Sequence, residues 1–142
     1  MTYSTLFSRL LSDGEAAAIF ADWATVGSMI EVELALARVQ ARAGLIPAAA
    51  AEAIVKAAEN FHPDLEGLIQ GGARSGLPLI ALVEQLRAAA GPEAGGFVHW
   101  GATSQDIMDT ALVLRLRGLL EILEGRLERL ADRLADLAEA HR

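Results

Sequence analysis

The last third of the sequence repeats apolar residues at alternating spacings of three and four. The repeat consists of Val113, Leu116, Leu120, Leu123, Leu127, Leu130, Leu134 and Leu137, called the leucine stripe below. Such a heptad pattern is typical of a long helix in a bundle or a coiled coil. It predicts one helix from Ser104 to Arg142, roughly 58 Å long at a rise of ~1.5 Å per residue.

A helix of that length extends beyond any compact body that the rest of the chain can form. A globule of this size has a radius of gyration of about 14 to 15 Å. The leucine stripe would then lie in water, which a monomer does not tolerate. The sequence also stops at Glu139–Arg142 without a Gly, Asn or Pro terminator. We therefore expect the N-terminal part of a larger helical protein, or else an obligate oligomer.

Composition favours an all-α fold. Hydrophobic residues make up 53% of the 142 residues, mainly as the helix formers Ala and Leu, and aromatic residues only 5%. No segment alternates apolar and polar residues in the way of a half-buried strand. We predict a small N-terminal helical domain over residues 1–101. Residues 102–142 are predicted to form the first long helix of a central bundle domain.

Capping signals divide the N-terminal part into helices. Ser12 and Glu15 have capping-box spacing and predict a short helix toward Phe20. Asp22 is expected to cap a longer helix that ends at Gly44. The apolar stripe predicted for this helix consists of Val26, Ile30, Leu34, Ala37 and Ala41.

Three further helices follow from prolines and an acidic cap. Pro47 belongs to the first turn of a helix running toward Glu59. Asp64 is expected to cap a short helix that ends near Gly71–Gly72. Pro78 opens the next helix, which continues to about Ala90. Its expected core residues are Leu79, Leu82, Val83 and Leu86.

Charge and residue usage exclude several classes of protein. With no Cys, the sequence excludes disulfide frameworks, zinc ribbons and thiol catalysis. A net charge of −7 argues against nucleic-acid binding. No stretch is apolar enough to span a membrane, and Met1–Leu11 lacks the layout of a secretory signal. The widely spaced His62, His99 and His141 predict no metal site, and no cofactor is expected. We predict a soluble cytoplasmic protein without a membrane or nucleic-acid partner.

One segment combines several features of a binding site. Thr103 and Ser104 place two hydroxyl groups at the start of the long helix, where free backbone N–H groups attract anions. His99 and Trp100 lie just before it, and Asp106 follows in the first turn. An alternative interpretation stays open, because Ser104 could simply cap the helix while His99 and Trp100 pack in a loop. The carboxylates of Asp106 and Asp109 are equally explained by the helix dipole.

The residues Val98–Ala111 closely resemble the first signature segment of the fumarase/aspartase (adenylosuccinate lyase-like) superfamily. The run His-Trp-Gly-Ala-Thr-Ser-Gln-Asp followed by Asp-Thr is most similar to the bacterial 3-carboxy-cis,cis-muconate cycloisomerases within it. Residues 30–38, 44–47 and 76–83 agree with the resemblance, which covers essentially the whole chain.

The resemblance implies an all-α homotetramer with a central bundle of long helices from every subunit. Each active site would combine three signature segments from three subunits, and only the first lies in this chain. It would bind substrate without a cofactor or metal. The implied substrate contacts are His99, Trp100, Thr103, Ser104, Gln105 and Asp106. The catalytic acid and base are expected beyond Arg142, so this chain alone is expected to be inactive.

The resemblance also suggests the class of substrate. Adenylosuccinate lyases carry an Arg-His-Asp element that serves their nucleotide substrate, whereas residues 73–78 read Ala-Arg-Ser-Gly-Leu-Pro. This favours a small tricarboxylate and the lactonisation of 3-carboxymuconate in protocatechuate degradation. Adenylosuccinate lyase or another fumarase-like lyase is the alternative enzyme. A structural helical oligomerisation module and a small-acid binding module are the alternatives outside catalysis.

Overall fold

The computed structural model describes Phe7, Leu10 and residues 12–142, and in this part of the chain every regular element is helical. The helices within residues 12–142 are α1 (Gly14–Ile19), α2 (Asp22–Arg42), α3 (Ala48–Glu59), α4 (Leu65–Ser75), α5 (Pro78–Ala94), a 3-10 turn (Gly95–Phe97) and α6 (Ser104–Ala140). The all-α prediction is confirmed. Apart from Phe7 and Leu10, the segment Met1–Leu11, in which the sequence predicts no secretory signal, lies outside the described residues.

Helix α1 is capped by Asp13, and the prediction that Ser12 caps it is wrong. The Asp13 carboxylate accepts hydrogen bonds from the backbone N–H groups of Glu15 and Ala16, at 3.1 and 3.2 Å. Asp13 and Glu15 also form ion pairs with Arg126 of α6. The hydrogen bond from Arg126 is the main reason that the pKa of Asp13 falls to about 2. The cap of α1 therefore also ties this helix to α6.

Helix α2 buries a face that is rotated from the predicted one. Ala21 is the N-cap residue, so Asp22 lies in the first turn and not at the cap as predicted. The buried residues at helical spacing are Val26, Met29, Glu33, Ala37 and Gln40. The predicted Ile30, Leu34 and Ala41 are only half-buried, at the margin of this face. The chain turns at Gly44, where φ is +71°. As a consequence, α2 directs one carboxylate and one amide into the interior.

Helix α4 ends later than predicted. It continues through Gly71 and Gly72 to Ser75 and stops at Gly76, whose φ of +81° suits glycine. The reason lies in the packing of α4 against α5. A Cβ atom on Gly71 would lie 2.5 Å from the Cβ atom of Ala81. Gly71 therefore allows two helices to approach closely and does not terminate one.

Helix α5 provides the centre of the core. Leu79, Leu82 and Leu86 are fully buried, as predicted. Its regular part ends at Ala90, also as predicted, because Gly91 takes up a non-helical conformation with φ 80° and ψ 174°. The chain then makes a short turn into the 3-10 helix and reaches α6.

Helix α6 confirms the predicted single long helix, although it ends at Ala140. Its 37 residues span about 56 Å at ~1.5 Å per residue. The first turns pack on α2, where the guanidinium of Arg115 donates to the Thr25 hydroxyl at 2.6 Å. The same guanidinium lies 5.5 Å from the centre of the ring of Phe20, the C-cap residue of α1. All residues from Leu127 onward are exposed.

The leucine stripe is exposed along its whole length. Its eight side chains are between 38% and 65% exposed. This confirms the expectation that the stripe finds no partner within the described part of the chain. No helix in that part is both long and apolar enough to cross a lipid bilayer. The predicted domain boundary between residues 101 and 102 stays a prediction.

Two adjacent glycines allow a matched test of the turn between α5 and α6. A Cβ atom on Gly95 would lie 2.5 Å from the carbonyl oxygen of Arg87, whereas one on Gly96 would meet nothing within 4 Å. We expect Gly95→Ala to lower the free energy of unfolding by about 1 to 3 kcal/mol, because backbone atoms must move. Gly96→Ala should change it by less than about 0.5 kcal/mol. Urea denaturation followed by circular dichroism measures both, and equal losses would contradict the close approach.

Candidate functional site

The loop between the 3-10 helix and α6 is held by three side chains from other helices. Arg87 of α5 donates to the carbonyl oxygen of Val98 at 3.2 Å. Gln40 of α2 donates to the carbonyl oxygen of Trp100 at 2.6 Å. Between them, Nδ1 of His99 lies 2.6 Å from Oε1 of Glu33, also on α2. These polar contacts fix three consecutive residues, Val98, His99 and Trp100. Residues 98–101 are called the site loop below.

His99 adopts a backbone conformation that is rare for residues with a side chain. Its φ is +61°, in the left-handed region, and the nearby Gly101 has a φ of +66°. Such a conformation costs a non-glycine residue roughly 1 to 3 kcal/mol and persists only where the surroundings stabilise it. The contacts made by Glu33 and Gln40 provide that stabilisation.

The contact between Glu33 and His99 is largely shielded from solvent. Their side chains are 1% and 14% exposed. Burial raises the pKa of Glu33, while the hydrogen bond and the charge of His99, together with the charge of Arg87, act in the opposite direction. Oε2 of Glu33 has no hydrogen-bond partner among the described residues. The imidazole is therefore the main group that compensates the buried carboxyl group.

Thr103 is the residue that caps α6. Its hydroxyl accepts from the backbone N–H of Asp106 at 3.3 Å and donates to the Asp106 carboxylate at 2.8 Å. The backbone N–H of Thr103 donates to the same carboxylate at 2.8 Å, which completes a capping box. These hydrogen bonds lower the pKa of Asp106. The alternative in which Ser104 caps the helix is wrong.

The structure brings two of the six predicted site residues into one cavity. His99 and Ser104 line a cavity of about 140 Å³ together with Arg87. The other residues that line it are Ile80, Val83 and Glu84. We call it the His99 cavity. Its imidazole, its guanidinium and its hydroxyl group at the start of a helix can bind a carboxylate, while Glu84 contributes an acidic side chain to the same lining.

The other predicted residues lie elsewhere around the start of α6. Asp106 lines a different cavity of about 400 Å³, and Gln105 donates to Asp109 at 2.6 Å on an exposed face. Thr103 is exposed and engaged in the cap. Trp100 is 50% exposed, with its ring 5.7 Å from that of Phe97. The contacts with substrate predicted for all six residues, His99 and Ser104 included, stay predictions.

Comparison with known proteins identifies the family. The sequence profile described as lyase matches residues 14–142. The 3-carboxy-cis,cis-muconate cycloisomerase of Bradyrhizobium diazoefficiens is 41% identical over 142 residues, which cover 98% of this chain and 32% of that protein. The chain belongs to this lyase family. The resemblance stated from the Val98–Ala111 segment is confirmed.

Other relatives of this chain carry different names. The adenylosuccinate lyase of Methanocaldococcus jannaschii is 40% identical over 114 residues, covering 80% of this chain and 25% of its own length. The crystal structure of a fumarate lyase from Mesorhizobium sp. BNC1 superposes with a TM-score of 0.89 at 45% identity, over 92% of this chain and 30% of that one. This chain therefore spans about a third or less of the length of these relatives.

Three residues of the site were not predicted from the sequence: Glu33, Gln40 and Arg87. The signal for two of them was present, since Glu33 and Gln40 share the spacing of Val26, Met29 and Ala37. Polar residues in an apolar register indicate a buried hydrogen-bonding role. His62 and His141 are exposed, as expected for residues outside the site. Among the described residues, no three potential metal ligands lie together.

Substitutions of Thr103 and Ser104 should affect the stability of the protein differently. Thr103→Ala should lower the free energy of unfolding by about 1 kcal/mol, because the helix loses its cap. Thr103→Ser should retain most of that stability. Ser104→Ala should change it by less than about 0.5 kcal/mol, because Thr103 and not Ser104 provides the cap. Thermal unfolding of the three variants provides the measurement, and a larger loss for Ser104→Ala than for Thr103→Ala would contradict this assignment.

Proposed function

We propose that this chain supplies the first substrate-binding segment of a lyase-type enzyme that lactonises 3-carboxy-cis,cis-muconate. The observation that carries the proposal is the His99 cavity, in which His99, Arg87 and Ser104 surround a space at the start of α6. The 41% identity to the 3-carboxy-cis,cis-muconate cycloisomerase of Bradyrhizobium diazoefficiens supports the choice of substrate. The tricarboxylate would be the only small-molecule partner, without a cofactor or metal, in the cytoplasm.

The chemistry of the reaction explains why such a cavity is useful. A carboxylate oxygen adds across a conjugated double bond and closes a lactone ring. In reverse, a proton leaves the carbon next to a carboxylate while another carboxylate oxygen departs. Negative charge accumulates on the first carboxylate in the transition state, so preorganised donors lower the barrier. Arg87 and His99 offer such donors at the His99 cavity, and Ser104 adds a hydroxyl group.

The six predicted contacts take different parts in this proposal. Ser104 rather than Thr103 orients a substrate carboxylate, because the Thr103 hydroxyl is engaged with Asp106. Trp100 would present a flat apolar wall. Gln105 and Asp106 would contact substrate only if it extends over the exposed start of α6. The acid and base that move the proton would come from segments outside this chain, which alone would be inactive.

A chimera tests the proposal. This chain would replace the matching segment of the Bradyrhizobium diazoefficiens cycloisomerase, and lactonisation of 3-carboxy-cis,cis-muconate would be assayed. We expect activity within about tenfold of the parent enzyme. Ser104→Ala in the chimera should lower kcat/KM by roughly 10- to 100-fold through the loss of a hydrogen bond to a charged group. The exposed Ser12→Ala is the matched control and should have no effect.

The same assay separates the alternatives. Turnover of adenylosuccinate in place of the muconate by the chimera would favour the adenylosuccinate lyase assignment. Binding of the tricarboxylate by this chain, together with an inactive but folded chimera, would favour a small-acid binding module. Normal kinetics of the Ser104→Ala chimera would contradict the binding role of Ser104.

We further propose that the leucine stripe packs in a central helical bundle of a homotetramer. The support is its exposure over eight consecutive heptad positions, since contiguous apolar surface of this kind marks an interface. A structural oligomerisation module would use the same surface, and the chimera assay distinguishes the two functions. The stripe by itself is compatible with both.

Two charged residues in the stripe should abolish self-association. We expect the unsubstituted chain to sediment as a multimer and Leu127→Asp/Leu134→Asp to sediment as a monomer, because carboxylates cannot be buried there without partners. The control is Glu128→Asp/Ala135→Asp, one residue further along the helix at each position and off the stripe. Sedimentation velocity gives the mass of each. A monomeric unsubstituted chain, or dissociation of the control as well, would contradict the proposed interface.

A further inference from the structure

Glu33 is a charged residue in an otherwise apolar register of α2. It lies between Met29 and Ala37 on the buried face, and its side chain is 1% exposed. Packing alone does not account for an acid here, since an apolar side chain of similar size would fill the same space without desolvating a carboxyl group. The contact that distinguishes Glu33 is the one from Oε1 to Nδ1 of His99, at 2.6 Å.

Two proton arrangements fit this contact. Either Nδ1–H of His99 donates to an ionised Glu33, or a protonated Glu33 donates to an unprotonated Nδ1. Burial raises the pKa of Glu33 and favours the protonated carboxyl group, whereas the hydrogen bond and charge of His99 and the charge of Arg87 favour the ionised carboxylate. An ionised carboxylate also stabilises an imidazolium ring. The first arrangement therefore agrees best with the charges around the pair.

The first arrangement decides which ring nitrogen is available to a ligand. With Nδ1–H bound to Glu33, the remaining nitrogen is Nε2, and His99 lines the His99 cavity beside Arg87 and Ser104. The left-handed backbone of His99, with φ +61°, further restricts where the ring can lie. A neutral ring can then accept at Nε2, and a charged ring can donate from it.

We propose that Glu33 is a positioning residue, which fixes the tautomer and orientation of His99 so that Nε2 is the nitrogen that meets a substrate carboxylate. The ligand class in this statement rests on the proposed function. The tautomer and the role of Glu33 do not, because they concern only contacts within this chain.

Nitrogen NMR of the imidazole rings tests the tautomer directly. The sequence contains three histidines, so His62→Gln/His141→Gln leaves His99 as the only one. Both substituted residues are exposed. At alkaline pH, we expect Nδ1 of His99 to give the shift of a protonated nitrogen and Nε2 that of an unprotonated one. The opposite assignment would overturn the proposal, and this measurement needs no variant of Glu33.

Glu33→Gln, introduced together with His62→Gln/His141→Gln, tests whether Glu33 determines the tautomer of His99. Glutamine has nearly the same shape but can both donate to and accept from Nδ1, so the preference for one tautomer should weaken at least several-fold. Glu31→Gln is the matched control, because Glu31 lies on the same helix and is exposed. It should leave the nitrogen shifts unchanged. An unchanged tautomer in folded Glu33→Gln would overturn the proposal, and if that variant does not fold, the measurement on the unsubstituted pair decides.

A titration separates this inference from the proposed function. Propane-1,2,3-tricarboxylate is a stable probe that carries three carboxylates. Binding should move the Nε2 shift of His99 more than the Nδ1 shift. A larger movement of Nδ1 would overturn the role given to Glu33. No movement of either shift, with the tautomer and the Glu33→Gln effect as expected, would count against the proposed ligand and support the positioning role.

Discussion

The arrangement of the site depends on the buried contact between Glu33 and His99. Helix α2 brings a carboxyl group under the site loop, and the loop holds His99 in a left-handed backbone conformation above it. The hydrogen bonds of Gln40 to Trp100 and of Arg87 to Val98 fix the residues on either side. Because α2 and α5 also form the core, the stability of the domain and the geometry of the site have the same origin.

Helix α6 connects the site loop to the exposed apolar surface of the leucine stripe. Its first turns pack on α2 through Ile107 and Ala111, and Arg126 forms ion pairs with Asp13 and Glu15. Beyond Arg126 the helix is exposed on every side. The proposed binding residues thus lie at the packed end of α6, while the leucine stripe extends from it. Assembly through the stripe, as proposed, would bring other subunits close to the same helix.

The sequence predicted the elements well and the details of their contacts less well. The heptad spacing from Val113 to Leu137 indicates α6 because backbone periodicity is a local property. The predicted end of α4 comes too early because Gly71, judged from the sequence alone, indicates a helix terminus. Its role depends on the packing of α5, because a Cβ atom on Gly71 would lie 2.5 Å from the Cβ atom of Ala81. The predicted buried face of α2 is wrong because Ile30, Leu34 and Ala41 are more apolar than Glu33 and Gln40. Only the tertiary partners His99 and Trp100 make burial of these two polar residues favourable.

Contacts within this chain hold the site loop in one conformation without a ligand. The backbone conformation of His99 in solution tests this claim most directly. Three-bond HN–Hα coupling and the intraresidue HN–Hα Overhauser effect distinguish a positive φ from an extended one. We predict a single conformation with φ near +61°, as in the structure. A negative φ, or averaging between the two regions, would contradict the claim.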